Sequence, residues 1–584
     1  MKKIIALFVS AVSVLSCSDD YLERMPSTQV GESQEFFNSE SGLATYSNSF
    51  YSYIDYNYVI NDMSSDNCEH STTPANIHNP NYVLPTALGS GGWSWTQLRN
   101  INYFIERCNA STVSDEIKQE YLALAKFFRA QFYFNKVKTF GDVPWYSTAI
   151  GTNEDELLYK ARDSRSLVMD SVLADINAAV KYLPETKYRN RISKYAALAL
   201  KSRICLYEGT FRKYHKDTGL EKADLFLTES ANAAKELIDK NVYTLYSTGD
   251  IYNDFRNLFQ AASVSLDETI LAYSFADGVY HRYTAYYIVP SHGLYGATRS
   301  LIHDFDMEDG RSFYDAYPDK GTRDKMLYIQ EMENRDPRLR QCVVWPGYVR
   351  TGTDIVSSCA DFTQARTGYQ ITKRVGAPSE DDQGDNRDVI IFRYAEVLLN
   401  YAEAKAELGT LTQNDIDLTI NKLRERVGLP SRTLPLQTNV AQREMYKNTT
   451  DANIMEIRRE RRVELAFEGF RKDDIIRWNE GHLFRTTYEG VYVEGLDIPI
   501  DMDKDGKPDV YFYKGDTPEE KIENVIYIGL QSKNALSEGT FGRFIPYSAT
   551  LPTFEDWEYF SPIPTEELTL NPNLIQNPGW GNLK

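Results

Sequence analysis

The chain has no run of 18 apolar residues in its 584 positions, so it offers no segment that crosses a bilayer as a helix. Cysteine and histidine are scarce, at 6 and 7 residues. The cysteines form no CxxC pair and no regular framework, which excludes a disulfide scaffold and a cysteine metal knuckle. His281, His292 and His303 recur every eleven residues without an HExxH or a cysteine partner, so zinc has no signature here. Positive charge is in deficit: 64 Lys and Arg stand against 83 Asp and Glu, a net −19. That balance excludes a nucleic-acid binder, which needs a basic patch to displace counterions. There is also no GxSxG elbow, no Walker A loop and no glycine-rich dinucleotide turn.

What the chain does have is aromatic surface and helical pattern. Hydrophobic residues make up 42%, enough for a large core, and 41 residues are tyrosine. Tyrosine is apolar in body and polar at its tip, suited to places that are both sticky and wet. The start of the chain reads as an address. Met1-Lys2-Lys3 is a basic n-region and Ile4 to Val14 a short apolar stretch, the pattern of a secretory signal over residues 1–16. Val14-Leu15-Ser16-Cys17 resembles a bacterial lipobox, which makes Cys17 the lipidated residue and the new N-terminus of a single unit, 17–584. Two or more acyl chains hold a protein stably on a membrane where one does not. Cleavage removes Lys2 and Lys3, taking the net charge from −19 to −21, and leaves Cys68, Cys108, Cys205, Cys342 and Cys359. Cys108 and Cys205 sit in apolar helical patterns as small buried thiols.

Periodicity predicts a mainly α fold, a tetratricopeptide-like scaffold of four helix pairs with long irregular aromatic-rich insertions. An amphipathic helix is expected over Gln97 to Cys108. Tyr121 to Phe140 pairs with Ser166 to Leu183, and Ser193 to Tyr207, closed by Gly209, pairs with Lys222 to Ile238. These lie in an N-terminal part, 17–240. In 391–480, the Ile391 to Ala406 helix pairs with Asp415 to Val427, and Ile454 to Phe467 with Asp473 to Trp478. Between and after them run a loop-rich insertion, 241–390, and an irregular part, 481–584, both too long for ordinary connections.

Several stretches carry a family resemblance. They are Leu122 to Phe134 continuing to Phe140-Gly141-Asp142-Val143-Pro144, Asn334 to Leu339, Arg393 to Ala404, Arg458 to Gly469, and the tail Ser561-Pro562-Ile563-Pro564 with Asn571 to Trp580. Together they resemble the SusD/RagB family from Cys17 to the C-terminus. That resemblance implies an outer-membrane surface lipoprotein that is not an enzyme, needs no cofactor, captures oligosaccharides, and lids a SusC-type TonB-dependent transporter. Some members take peptides instead. Asp66 and Asn67 fall where the resemblance places ligand contacts.

Sugar recognition needs flat aromatic faces and planar polar groups. The densest aromatic loop is Tyr273 to Tyr295, in which Tyr280, Tyr283, Tyr286 and Tyr287 are the candidates, with His281 and Arg282 as donors. Gly89-Ser90-Gly91-Gly92 would present Trp93 while Trp95 faces the scaffold, and Trp345 is a third aromatic candidate. Asp501, Asp503, Asp505 and Asp509, with Gly506 at the sixth position, form the front of an EF-hand-type loop that could hold Ca²⁺, although Phe512 stands at the twelfth. The run Arg458-Arg459-Glu460-Arg461-Arg462 is expected to pair with Glu456, Glu464 and Glu468 as a salt-bridged repeat face. The competing class is a helical glycoside hydrolase, which would need two opposed carboxylates about 5–10 Å apart. A helical-repeat adaptor for protein partners would leave the aromatic loops without a role.

Overall fold

The computed structural model describes residues 33–70, 83–261, 263–276, 279, 295–384, 386–548 and 551–582. The signal segment, Cys17, Tyr280, Tyr283, Tyr286 and Tyr287 lie outside the described residues.

Six helices form the scaffold: α1 (Thr96–Asn109), α2 (Asp115–Phe140), α3 (Arg165–Tyr182), α4 (Lys194–Tyr214), α5 (Ala223–Lys240) and α6 (Tyr394–Glu407). Each packs on the next, so the array is the mainly helical repeat scaffold the periodicity predicts. The starts follow ordinary capping chemistry. Ser114 accepts a hydrogen bond from the Ile117 amide and Ser164 from that of Leu167, each satisfying a donor the first turn leaves free. Gly141, at φ +73, lets the chain turn off the end of α2. One apolar core runs through the array, and Ile101, Phe127, Val172, Ile176, Leu198 and Leu398 are among its buried members.

Two helices differ from the sequence pattern for visible reasons. Gly209 does not close α4, which continues to Tyr214. A Cβ at Gly209 would stand 2.9 Å from the Leu227 backbone nitrogen and 2.8 Å from its Cγ, so the glycine is there to let α5 cross closely. The helix expected from Asp415 to Val427 is two helices, α7 (Gln413–Leu418) and α8 (Ile420–Arg426). At the break Thr419 is fully buried and donates its hydroxyl to the Asp415 carbonyl at 2.6 Å, in competition with the backbone ladder.

The fourth pair is also rearranged. Helix α9 (Ala452–Glu464) packs on α6 and helix α10 (Arg471–Arg477) packs on α4. Ion pairs rather than backbone proximity join α9 to α10, with Arg461 Nε 2.9 Å from Asp474.

The insertion and the irregular C-terminal part build a second core together. Phe255, Leu301, Phe305, Tyr328, Phe362 and Tyr369 meet Val491, Phe512 and Phe544 there. Strand β1 (Thr269–Tyr273) pairs antiparallel with β2 (Val389–Arg393), which leads directly into α6. Farther on, β3 (Pro499–Ile500) lies antiparallel to β4 (Val510–Tyr513), which is parallel to β5 (Ile526–Gly529). The five cysteines of the described residues are buried free thiols.

Between the two cores lies a layer of fully buried charge. The arginine run is not a solvated face: Arg458, Arg459, Arg461 and Arg462 are all buried. Arg459 pairs with Glu456 at 2.7 Å as expected, but the other three reach Glu407, Asp474 and Asp304. Glu464 instead receives Arg338 at 3.0 Å, Arg393 at 2.7 Å and Arg426 at 2.7 Å. Glu468 takes Lys373 at 2.6 Å and Arg393 at 2.7 Å. Burial alone would raise Glu464, but Arg426, Arg393 and Arg338 overcome it and hold the carboxyl at about 2.

Candidate functional site

A cleft of about 600 Å³ opens between α2, α4, α10, the segment 55–64 and the C-terminal segment 558–562. On α2, Gln131, Asn135 and Lys138 point into it because spacings of four and three residues share one helix face. On α4, Leu200, Arg203 and Tyr207 do the same. Aromatic walls come from Phe134, Phe470, Tyr559, Phe560 and Trp580. A smaller groove of about 330 Å³ shares Gln131, Asn135 and Thr139 and continues past Tyr53, Gly92, Ser94 and Gln97. The Gln131-Asn135-Thr139 stripe therefore floors both openings.

Charges on the cleft wall are mostly spoken for. Arg203 grips Glu396 with two bonds of 2.6 and 2.7 Å. Asp474 accepts from Arg461 and Arg477, both at 2.9 Å. Lys138 pairs with Asp473, and its ammonium stands 4.9 Å from the Phe134 ring centre. Glu558 is bound to Arg485. Burial pushes the Tyr207 hydroxyl well above its ordinary pKa. Gln131 and Asn135 stand apart, since their side-chain amides make no hydrogen bond to the described residues.

The residues singled out in the sequence fall in different places. Trp93 is 2% exposed and packs edge-on against Phe140 at 4.8 Å and Trp95 at 5.4 Å, so it offers no free face. The reason is Lys136 on α2, which donates to the carbonyls of Gly92 and Ser94 and draws the loop down. Trp95 is the more exposed of the two tryptophans, with the Lys136 ammonium 5.1 Å from its ring.

Asp66 and Asn67 are not loop surface either. Asp66 receives Arg471 at 2.7 and 2.8 Å, and Asn67 receives Arg462 at 2.8 Å, all buried. Burial would raise Asp66, but Arg462 and Arg471 outweigh it and hold its carboxyl below its ordinary value. These two residues lock the segment before the cleft onto α9 and α10. Trp345 is half-buried outside the cleft, with the Arg340 guanidinium 3.5 Å over its ring.

The aspartate loop joins β3 to β4. Asp501, Asp503 and Asp509 each bring a carboxylate oxygen to within 4.8 Å of the others, and theirs is the one such grouping among the described residues. Asp505 is not part of this grouping; its carboxylate accepts the Lys507 amide at 2.8 Å. Asp501 Oδ1 is buried without a protein donor, whereas its Oδ2 accepts the Gly506 amide at 2.8 Å. Burial raises Asp503 above its ordinary pKa, and Asp509, Asp505 and Asp501 add to the rise. Phe512 is fully buried against Phe362, so no twelfth-position ligand exists.

Gln131, Asn135 and Lys472 were missed from the sequence. The available signal was two amides interrupting the apolar stretch Phe127 to Val137 at a spacing of four.

Comparison with known proteins gives two family matches. The sequence model of the SusD family matches residues 268–580, and one described as "Starch-binding associating with outer membrane" matches residues 20–206. A SusD-like protein of Bacteroides ovatus is 23% identical over 616 residues, covering 99% of this chain and 97% of its own length. One from Formosa agariphila is 24% identical over 515 residues, covering 81% and 90%. Among solved structures, a SusD-like carbohydrate binding protein from Bacteroides fragilis superposes with a TM-score of 0.67 at 22% identity, over 92% of this chain and 100% of that one. No helix among the described residues is long and apolar enough to cross a membrane.

Proposed function

The chain belongs to the SusD family, and from that premise we propose that it is a surface lipoprotein of the outer membrane. It is anchored through Cys17, captures oligosaccharides in the α2–α4–α10 cleft, and hands them to a SusC-type TonB-dependent transporter. The observation that carries this reading is the cleft itself. Gln131 and Asn135 present open amide donors and acceptors beside aromatic walls, the mixture that hydroxyl-rimmed, C–H-faced sugars need. Hydrolysis is disfavoured because, of the carboxylates on the cleft wall, Asp473, Asp474 and Glu558 are each committed to a cation, which leaves Asp55 without a second free carboxylate to oppose it. A general acid needs a carboxyl free to hold its proton.

The test is isothermal titration calorimetry and affinity electrophoresis against a panel of polysaccharides, with reducing ends assayed in parallel. Binding without new reducing ends supports capture. Reducing ends that vanish with a single carboxylate substitution establish the hydrolase instead, and retention of peptides with no glycan bound establishes the peptide-capturing branch.

The aspartate loop adds a metal to this proposal. Asp501, Asp503 and Asp509 would hold Ca²⁺, which would supply the electrophile that the unsatisfied Asp501 Oδ1 lacks and brace the β3–β4 turn. Calorimetric titration with CaCl₂ would release or absorb heat at one site, and Asp503→Asn would abolish it. No heat at millimolar Ca²⁺ removes the metal from the proposal.

A further inference from the structure

Lys472 differs from every other cation on the cleft wall. Arg203, Arg461, Arg477 and Lys138 each hold a carboxylate within 3 Å. Lys472, on the first turn of α10, lines the same cleft and has no carboxylate and no hydrogen-bond acceptor among the described residues. Asp473 beside it is taken by Lys138, which lines the same cleft. Burial draws the Lys472 pKa below its ordinary value, Asp473 opposes that, and Lys138 adds to it. An ammonium taken partly out of water without a counter-ion is unfavourable, and an arriving anion relieves it.

The same cleft also carries neutral polar side chains. Among the described residues, Gln131 and Asn135 on α2 find no partner for their amides, and Asn61 and Ser64 on the facing segment make no side-chain hydrogen bond either. Amide N–H and hydroxyl donors serve a carboxylate or sulfate as readily as a neutral hydroxyl. Phe470, at the start of α10, lines the same cleft, with the Arg203 guanidinium 4.9 Å and that of Arg461 5.6 Å from its ring centre.

We propose that the cleft is built for an acidic glycan, a chain bearing carboxylate or sulfate groups, with Lys472 as the counter-ion of one such group and Gln131 and Asn135 as its polar neighbours. This rests on the glycan-capture reading and narrows its substrate class. The overall net charge of −19 does not forbid it, because charges beyond about 8 Å are screened at physiological salt and the nearest cation decides.

The experiment measures binding of the lipid-free mature chain at 0.15 M salt. The acidic probes are polygalacturonate, alginate and a sulfated galactan; the neutral probes are arabinan, xylan and starch. Wild type, Lys472→Met and Lys472→Arg are compared, and thermal melts establish that all three fold. The expected result is capture of at least one acidic chain, weakened about tenfold or more in Lys472→Met and largely kept in Lys472→Arg. Equal affinity of Lys472→Met for the acidic chain overturns the role of Lys472. Capture of neutral chains alone overturns the acidic class and leaves glycan capture standing. Capture of no glycan overturns both.

Discussion

The helical array and the layer beneath it are held by opposite kinds of chemistry. In α1 to α5 the interior is hydrocarbon and aromatic, and buried ions form small groups, Arg129 with Asp175 and Glu208 with Arg165 and Arg212. Around α9 the interior is charge: Glu464 alone takes three arginines, and Arg338, Arg393, Arg424 and Arg459 are among the largest fully buried side chains in the protein. Apolar packing is tolerant, because neighbours can relax around a change. A buried ion pair is unforgiving, because removing one partner strands the other. The array supplies cohesion, whereas the charged layer fixes how the insertion and C-terminal part sit on it. The cleft opens at that boundary, with α2 and α4 from one side and α10 from the other.

The largest effect should follow from breaking the charged layer. Glu464→Ala leaves Arg338, Arg393 and Arg426 facing one another and should cost at least about 3–5 kcal/mol, read as a lowered urea midpoint. A loss under about 1 kcal/mol would mean the layer is hydrated and the contrast with the array is false.

Acid should strike the same layer. The folded-state pKa values of Glu464 and Glu456 are held at about 2, against an ordinary 4.5, by arginines that outweigh the effect of burial. A depressed carboxylate contributes its stability fully above its unfolded pKa and loses it as pH falls toward the folded one. The melting temperature should therefore drop steeply between pH 4.5 and 2, and Glu464→Gln should flatten that drop. A melting temperature that is flat across this window would contradict the ion-pair assignment.

How much was legible in the sequence follows from the same contrast. Helices whose stripes are apolar, such as α2, α3 and α6, could be read from spacing alone, because burial and periodicity are one signal there. The charged layer could not. Arg458 to Arg462 looks like solvent-facing repeat surface, and only tertiary partners from Asp66, Asp304 and Asp474 turn it inward. Trp93 failed likewise: a glycine-rich approach suggests display, but Lys136, more than forty positions away, folds the loop down. The cleft was invisible because Gln131, Asn135 and Lys472 become a group only when α2 meets α10.

Within the apolar array, Gly209→Ala tests close approach against helix propensity. Alanine is favoured over glycine in a helix by about 1 kcal/mol, so a cap or open position would gain stability. Here the new Cβ meets Leu227 backbone at 2.9 Å, and a net loss of about 1–3 kcal/mol is expected from denaturant melts. A gain would mean α5 can shift away, and that the array is looser than its packing suggests.

The smallest effect on stability, and the one that separates fold from site, comes from Asn135→Ala. The side chain lines the cleft, is exposed, and holds no partner among the described residues, so the melt should move by no more than about 0.5 kcal/mol. Its loss removes an amide that a ligand would use, and affinity for the captured glycan should fall severalfold. Trp93→Phe should do the reverse, lowering the melt through the Phe140 contact and leaving affinity in place. If Asn135→Ala leaves affinity untouched while Trp93→Phe destroys it without unfolding the chain, the ligand lies along the 89–95 loop. The boundary between the two chemistries would then be structural only.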